Sequence, residues 1–105
     1  MKIKNENKEL SQLIEISSNE IYIVDIKTLK YLYVNQGACE ALGYTKDEFY
    51  TMDIFDINPK LTKESALFMK NELIKNKKYI NKTLHKCKDG TLYHAQAYMN
   101  TFTYK

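Results

Sequence analysis

The chain has 105 residues, of which 44% are hydrophobic, and a net charge of +3, which favours a single small domain with a modest core. No apolar run approaches the ~20 residues needed to span a bilayer, and the N-terminal stretch MKIKNENKELSQL lacks the apolar core and cleavage site of a signal peptide. We therefore expect a cytoplasmic domain, alone or as part of a longer protein, that makes no membrane contact.

The polar and sulfur-containing residues exclude several kinds of site. Two cysteines, Cys39 and Cys87, are too few for a disulfide scaffold and are expected to be reduced. With His85 and His94 they show neither CxxC nor HxxxH spacing, so no metal site is predicted.

All 16 basic residues are lysine, whereas nucleic-acid readout favours arginine. The lysine-rich stretch 60–88 is therefore interpreted as a solvated surface and not as a nucleic-acid site, with a phosphate-binding patch as the alternative.

The first third of the chain predicts a helix followed by a β-hairpin. After a polar tail of residues 1–8, the spacing of Leu10, Leu13 and Ile14 predicts a short amphipathic helix over 9–16. The β-branched and aromatic runs at 20–26 and 30–35 predict two strands. Because the gap between them is short, they should form an antiparallel hairpin.

The middle third predicts several short helices with defined ends. Asn35 is a good N-cap for a helix over 36–42, and Gly43 suits the left-handed position after its end. Thr45 begins a capping-box pattern for a second helix. The segment 52–59 predicts an irregular turn of helix that stops before Pro59.

The last third predicts one long helix and a second hairpin. Thr62 can cap a helix over 63–75, and its apolar positions form one stripe, with Phe68 on the opposite face: Ala66, Leu67, Met69, Leu73 and Ile74. Two strands over 79–88 and 91–103 are joined by Asp89-Gly90, which is the strongest short hairpin signal in the sequence. In the second strand Tyr93, Ala95, Ala97 and Met99 alternate with polar residues, so one face of the sheet should be buried.

This element order, together with several short motifs, resembles a PAS domain, the sensor module of many bacterial signalling proteins. The motifs are IYIVD at 21–25, YVN at 33–35, ALGYTKDE at 41–48, DIFDINP at 53–59 and KDGTLY at 88–93. The resemblance covers residues 18–105, which leaves 1–17 as an N-terminal tail and cap helix. It implies an α+β fold in which short helices cross one face of an antiparallel sheet. The bends are expected at Asn35 and at Gly43-Tyr44, and the tight turn at Asp89 and Gly90.

The family sheet usually has five strands, and its last strand is missing from this chain. The resemblance therefore implies a fragment of a longer protein with an exposed strand edge, which would invite pairing.

No enzyme signature is present. Glycines occur only at positions 37, 43 and 90, so GxSxG, P-loop and GxGxxG motifs are absent. Asp53 and Asp56 could share a helical face, but capping of the irregular turn explains them better than a catalytic pair. We expect a non-enzymatic domain, with any catalysis in a separate output domain.

The resemblance also implies a set of pocket-lining residues. They occupy the inward-facing positions of three strands: Tyr22 and Val24 on the first, Thr83, His85 and Cys87 on the third, and Ala95 and Ala97 on the last. His85 could hydrogen-bond a ligand. It could equally be a core histidine bonded to Tyr22, to the backbone or to water.

Known cofactors of the family match this chain poorly. The region YTMDIFDIN lacks the Asn-Cys-Arg-like motif of flavin-binding photosensors, and the long helix contains no histidine for haem. Both haem and cysteinyl flavin are therefore disfavoured. A small uncharged or aromatic metabolite suits the tyrosine-rich lining best, but so does a self-filled core.

Two functions remain open at this point. The first is a sensor module of a sensor histidine kinase in a two-component system, or of a diguanylate cyclase, which binds a small ligand and forms a homodimer through the N-terminal helix and the outer sheet face. The second is a ligand-free dimerisation or protein-interaction module with the same fold. The exposed side chains of Phe68, Tyr98, Ile21 and Ile23 would then form the contact surface.

Overall fold

The structure is a computed structural model that describes residues 2–102, with side chains placed from residue 8 onward. Five helices and four strands follow one another in the order α1 (Lys2–Ile16), β1 (Tyr22–Val24), β2 (Tyr31–Val34), α2 (Gln36–Leu42), α3 (Lys46–Phe49), α4 (Ile54–Ile57), α5 (Lys63–Asn76), β3 (Lys78–Lys86) and β4 (Leu92–Asn100). The expected α+β architecture is confirmed. Within the described residues the strands form two antiparallel pairs, β1–β2 and β3–β4, rather than one continuous sheet.

The first hairpin is shorter than predicted. Its strands cover 22–24 and 31–34, whereas the sequence indicated 20–26 and 30–35. The reason lies at Asp25, whose Oδ1 accepts hydrogen bonds from the backbone N–H groups of Lys27 and Thr28 at 2.8 and 3.0 Å. This turn closes before the predicted strand end and places Leu29 at a φ of 62°.

The short helices begin and end where the capping residues predict. Asn35 caps α2, and Gly43 ends it at a φ of 82°, which a residue without a Cβ adopts without strain. Thr45 forms a complete capping box with α3. Asp53 and Asp56 form another at α4, so the capping interpretation of these two carboxylates is confirmed.

The long helix α5 packs through a narrower face than predicted. Ala66, Met69 and Leu73 are buried against the core. Leu67 and Ile74, however, are 58% and 61% exposed, so the prediction that they belong to the buried stripe was wrong. Each lies one residue, or ~100° of helical rotation, beyond a buried position. Only the narrow side of the helix that carries the buried residues faces the core.

The second hairpin is regular along its whole length. All nine residues of β3 pair in continuous register with β4, from Lys78↔Asn100 to Lys86↔Leu92. Gly90 has a φ of 92°, and the Asp89 carboxylate accepts the N–H of Thr91 at 2.9 Å, as the hairpin signal predicted. Partly buried and exposed residues alternate along β4, so the hairpin has an inner and an outer face.

Helix α1 begins at Lys2, seven residues before the predicted start at Glu9. The segment predicted as a polar tail is therefore helical from Lys2 onward, and it contains neither glycine nor proline to interrupt a helix. The helix ends beside β2. There Glu15 accepts hydrogen bonds from Tyr33, at 2.6 Å, and from Lys46.

No helix among the described residues is long and apolar enough to cross a membrane.

Candidate functional site

The inner face of the second hairpin carries most of the predicted pocket residues. Thr83 pairs with Ala95 and His85 with Tyr93 across the two strands, and all four are partly buried. Thr83 and His85 therefore lie on the partly buried face of this hairpin. The Thr83 hydroxyl donates to Asn58 Oδ1 at 2.5 Å, which ties the hairpin to the end of α4.

A polar cluster lies where the two hairpins meet; we call Glu20, Tyr22, His85 and Tyr93 the Glu20 cluster. Glu20 Oε1 accepts hydrogen bonds from the hydroxyls of Tyr22 and Tyr93, each at 2.7 Å. His85 Nδ1 lies 3.3 Å from the Tyr93 hydroxyl and 3.7 Å from Glu20 Oε1. The His85 ring also meets the Tyr22 ring edge-on at a centroid distance of 6.1 Å. One carboxylate thus connects groups from both hairpins.

The electrostatics of the Glu20 cluster favour an ionised carboxylate beside neutral phenols. Burial opposes ionisation of Glu20, but hydrogen bonds from His85, Tyr22 and Tyr93 outweigh burial and hold its pKa below the usual range. Burial, together with the bond to Glu20, raises the pKa of Tyr22 and of Tyr93. Both phenols therefore stay protonated as hydrogen-bond donors at neutral pH.

The sequence predicted two members of the Glu20 cluster and missed the other two. Tyr93 was recognised as facing inward, but not as the cross-strand neighbour of His85; a register counted outward from Asp89-Gly90 would have paired them. Glu20 was assigned to a strand end, and no local pattern indicates that its carboxylate turns toward β4. Asn58, the partner of Thr83, was also missed.

The remaining predicted pocket residues lie outside the Glu20 cluster. Val24 is partly buried against the core. Ala95 and Ala97 face inward on β4 opposite Thr83 and Asn81. Cys87 lines a surface cleft with Gly43, and its thiol donates to the carbonyl of Ala41 at 3.5 Å.

Aromatic side chains fill the core beside the Glu20 cluster. Phe49 is fully buried, and its ring centroid lies 6.0 Å from that of Tyr22, 5.3 Å from Tyr31 and 5.7 Å from Tyr44. Tyr44, predicted as a bend residue, therefore also packs against the core. These rings pack together between the short helices and the first hairpin.

The described residues offer little for a metal ion. No group of three or more histidine, cysteine or acidic side chains that could hold one occurs in the part of the chain that the structure describes. Both cysteines are free and partly buried, and burial raises the pKa of each thiol. The Glu20 cluster is thus suited to hydrogen bonding rather than to metal ligation or thiolate chemistry.

Comparison with known proteins finds similarity in structure but not in sequence. No family model matches the chain, and no curated protein matches it. Among solved structures, the PAS domain of an HTR-like protein from Haloarcula marismortui is similar with a TM-score of 0.81 and 20% identity, over 92% of this chain and 79% of that one.

Two further structures show the same likeness. A PAS domain from a two-component sensor histidine kinase has a TM-score of 0.82 and 20% identity, over 97% of this chain and 87% of that one. The PAS domain of a Desulfitobacterium hafniense protein has a TM-score of 0.70 and 26% identity, over 81% of this chain and 79% of that one. Together with the element order and the capped bends, these matches show that the chain has the fold of a PAS domain.

Proposed function

We propose that this chain is a sensory PAS module of a cytoplasmic signalling protein, in which any catalysis belongs to a separate output domain of the same parent chain. One similar structure is a PAS domain from a two-component sensor histidine kinase, which supports that class of parent; a diguanylate cyclase is the other output we propose. The observation that carries the proposal is the Glu20 cluster. Because it joins two hairpins whose strands do not pair with each other in the described structure, a ligand that rearranges it would shift one hairpin relative to the other.

The ligand we propose is a small uncharged or aromatic metabolite. The tyrosine rings around Glu20 offer stacking surfaces, and the ionised carboxylate would repel an anion. His85 is the first contact we assign, because its side chain is only 12% exposed and its Nδ1 already takes part in the hydrogen-bond network. Tyr22, Val24, Thr83, Cys87, Ala95 and Ala97 complete the proposed lining.

Native mass spectrometry of freshly purified protein, with an absorption spectrum of the same sample, tests this proposal. The expected result is a mass excess that disappears on denaturation and is reduced in His85→Ala. His94→Ala is the matched control, because His94 lies on the exposed outer face of β4. Equal ligand content in His85→Ala and wild type would remove His85 from the site.

Dimerisation is the second part of the proposal and depends on α1. Leu10, Leu13 and Ile16 are 57%, 62% and 69% exposed, and a homodimer would bury them against a second copy together with the outer sheet face beside α1. Sedimentation velocity should show a dimer that the Leu10→Ser/Leu13→Ser variant loses. Leu67→Ser/Ile74→Ser on α5 is the control, since those side chains are equally exposed. A strict monomer at high concentration would contradict the dimer.

A ligand-free interaction module is the second candidate function. The fully buried side chains of Phe49, Leu42, Ile57 and Val34 favour it, because a core filled in this way needs no ligand. A bare mass with no visible absorption in the native spectrum would support this function over the first.

A further inference from the structure

The outer face of the second hairpin is basic, apolar and free of acidic residues. Alternation and register place two rows of side chains on this surface, which we call the lysine face: Lys78, Ile80, Lys82, Leu84 and Lys86 on β3, and Leu92, His94, Gln96, Tyr98 and Asn100 on β4. Neither strand contains an aspartate or a glutamate. Three lysines therefore give the surface a charge of about +3 with no carboxylate within it to offset them.

The three lysines are available to a partner. Lys78, Lys82 and Lys86 are all exposed. Among the described residues, the lysines within ion-pair distance of a carboxylate are Lys46, with Glu15, and Lys88, with Glu48, and neither belongs to the lysine face. A row of unpaired cations on one strand is repulsive, and an acidic partner would relieve that repulsion.

Ile80, Leu92 and Tyr98 are the exposed apolar residues of the lysine face, whereas Leu84 is partly buried. Ile80 and Tyr98 sit directly opposite each other and are 59% and 71% exposed, while Leu92 is 52% exposed. A surface that only needed solubility would carry polar groups at these positions. Alternation of apolar and cationic groups is instead complementary to a partner that is itself apolar and acidic.

The dimensions of the lysine face match those of one helix. Nine paired residues at ~3.3 Å each give a length of about 30 Å, and two strands about 4.8 Å apart give a width of about 10 Å with their side chains. An α-helix of about 20 residues has the same length and diameter. Lysines four residues apart on β3 are about 13 Å apart, close to the separation of about 12 Å between helix residues eight apart.

Two other occupants fit the lysine face less well. A second copy presenting the same face would bring like charges together, three lysines against three. Nucleic acid would satisfy the charge but would leave Ile80 and Tyr98 against a polar backbone. Neither explains cationic and apolar residues interleaved along one strand.

From this complementarity we propose that the lysine face docks an acidic amphipathic helix of a partner protein, with Ile80 and Tyr98 as the apolar contact and Lys78, Lys82 and Lys86 pairing with its carboxylates. This mode does not depend on a pocket ligand, so its failure would leave the sensory function untouched.

Fluorescence anisotropy with two labelled 18-residue peptides tests the proposal. The probe is a synthetic helix with leucines at i, i+3, i+4 and i+7 spacing flanked by glutamates, and the comparison peptide has lysines in place of the glutamates. We expect the acidic peptide to bind at least tenfold more tightly than the basic one, with affinity falling as salt rises. Equal binding of both peptides, or no binding of the acidic one, would overturn the proposal.

Protein variants locate the binding surface. Lys78→Glu/Lys82→Glu/Lys86→Glu should weaken acidic-peptide binding about tenfold or more, and Ile80→Ser/Tyr98→Ser should weaken it without altering the salt dependence. The control Lys27→Glu/Lys60→Glu/Lys63→Glu makes the same charge change at exposed lysines elsewhere and should leave binding within about twofold. If both triple variants lose the same affinity for the acidic peptide, the net charge of the protein, and not the lysine face, attracts the peptide.

Two further probes exclude other anionic partners. Phosphatidylserine–phosphatidylcholine vesicles and a duplex oligonucleotide are offered to the same proteins. Lysine-face-dependent binding to either of them at the peptide's affinity would reassign the surface to lipid or nucleic acid and overturn the proposal. Binding to the acidic peptide alone supports it.

Discussion

The hydroxyl of Tyr93 donates a hydrogen bond of 2.7 Å to the carboxylate of Glu20, across 73 positions of the sequence. Tyr93 belongs to the second hairpin, and Glu20 lies just before the first. Within the described structure each of these hairpins pairs only with itself, so side chains rather than a backbone ladder join them at this point. The bond is therefore one of the links that set how the two hairpins lie together.

Removing the Tyr93 hydroxyl should weaken this junction. Tyr93→Phe keeps the ring beside His85 but leaves Glu20 with one donor fewer, which should lower the free energy of unfolding by about 1–2 kcal/mol. Urea denaturation followed by circular dichroism measures the change. Tyr98→Phe is the control, because Tyr98 is 71% exposed and should change stability by less than ~0.5 kcal/mol. Equal effects of the two substitutions would contradict the structural role of the bond.

The stability of the fold should fall in acid partly because of Glu20. The folded-state pKa of this carboxyl is lowered from 4.5, so its contribution is fully present above that value and is lost as pH falls through the lower, folded-state pKa. Glu20→Gln should therefore be less stable than wild type at pH 7, with the difference shrinking toward pH 3. Urea unfolding at several pH values measures this convergence.

The control for this pH dependence is a substitution of another carboxyl group, measured by urea unfolding at the same pH values. Asp47→Asn removes an exposed carboxylate and should leave the pH dependence of unfolding close to that of wild type. If wild type and Glu20→Gln differ in free energy of unfolding by the same amount at pH 7 and at pH 3, ionisation of Glu20 is not coupled to folding.

Sequence reasoning correctly predicted the features that depend on residues close together in the chain. The caps at Asn35, Gly43 and Thr45 are local, because each side chain or φ angle acts on a backbone group at most four residues away. The contact between Glu20 and Tyr93 depends instead on how two hairpins approach each other, which no short window contains. Leu67 was misplaced for a related reason: periodicity gives the apolar side of a helix but not how much of it the core covers.

Asn35 shows that a correctly predicted cap can hold more than its own helix. Its buried Oδ1 accepts from the N–H groups of Ala38 and Ile21, both at 3.0 Å. Its Nδ2 lies within 2.8–3.3 Å of three carbonyl oxygens, that of Ile14 in the last turn of α1 and those of Ser17 and Asn19 just after it. The same amide therefore caps α2 and secures the end of α1.

Asn35→Asp separates these two roles. The aspartate keeps the acceptor for Ala38 and Ile21 but replaces the donating Nδ2 with an oxygen that faces carbonyl groups, so unfolding should become easier by about 2–4 kcal/mol. Limited proteolysis should then cleave between α1 and β1 before the rest of the domain is cut. Gln36→Ala at the exposed neighbouring position is the control and should be cleaved as slowly as wild type. An Asn35→Asp protein with wild-type stability would show that the amide hydrogen bonds contribute little.

Gly37 should resist a substitution that helix propensity favours. Alanine in place of glycine inside a helix normally stabilises by about 1 kcal/mol. At Gly37, however, a Cβ would lie 2.7 Å from the carbonyl oxygens of both Ser17 and Asn19, closer than carbon and oxygen can pack. Gly37→Ala should therefore destabilise the domain, by about 1–3 kcal/mol, and loosen the segment that Asn35 holds. Hydrogen exchange of the amides in 17–21 measures the loosening, with Gln36→Ala as the matched helix substitution. A Gly37→Ala protein as stable as wild type, with unchanged exchange there, would mean that the segment can move away from α2 without cost.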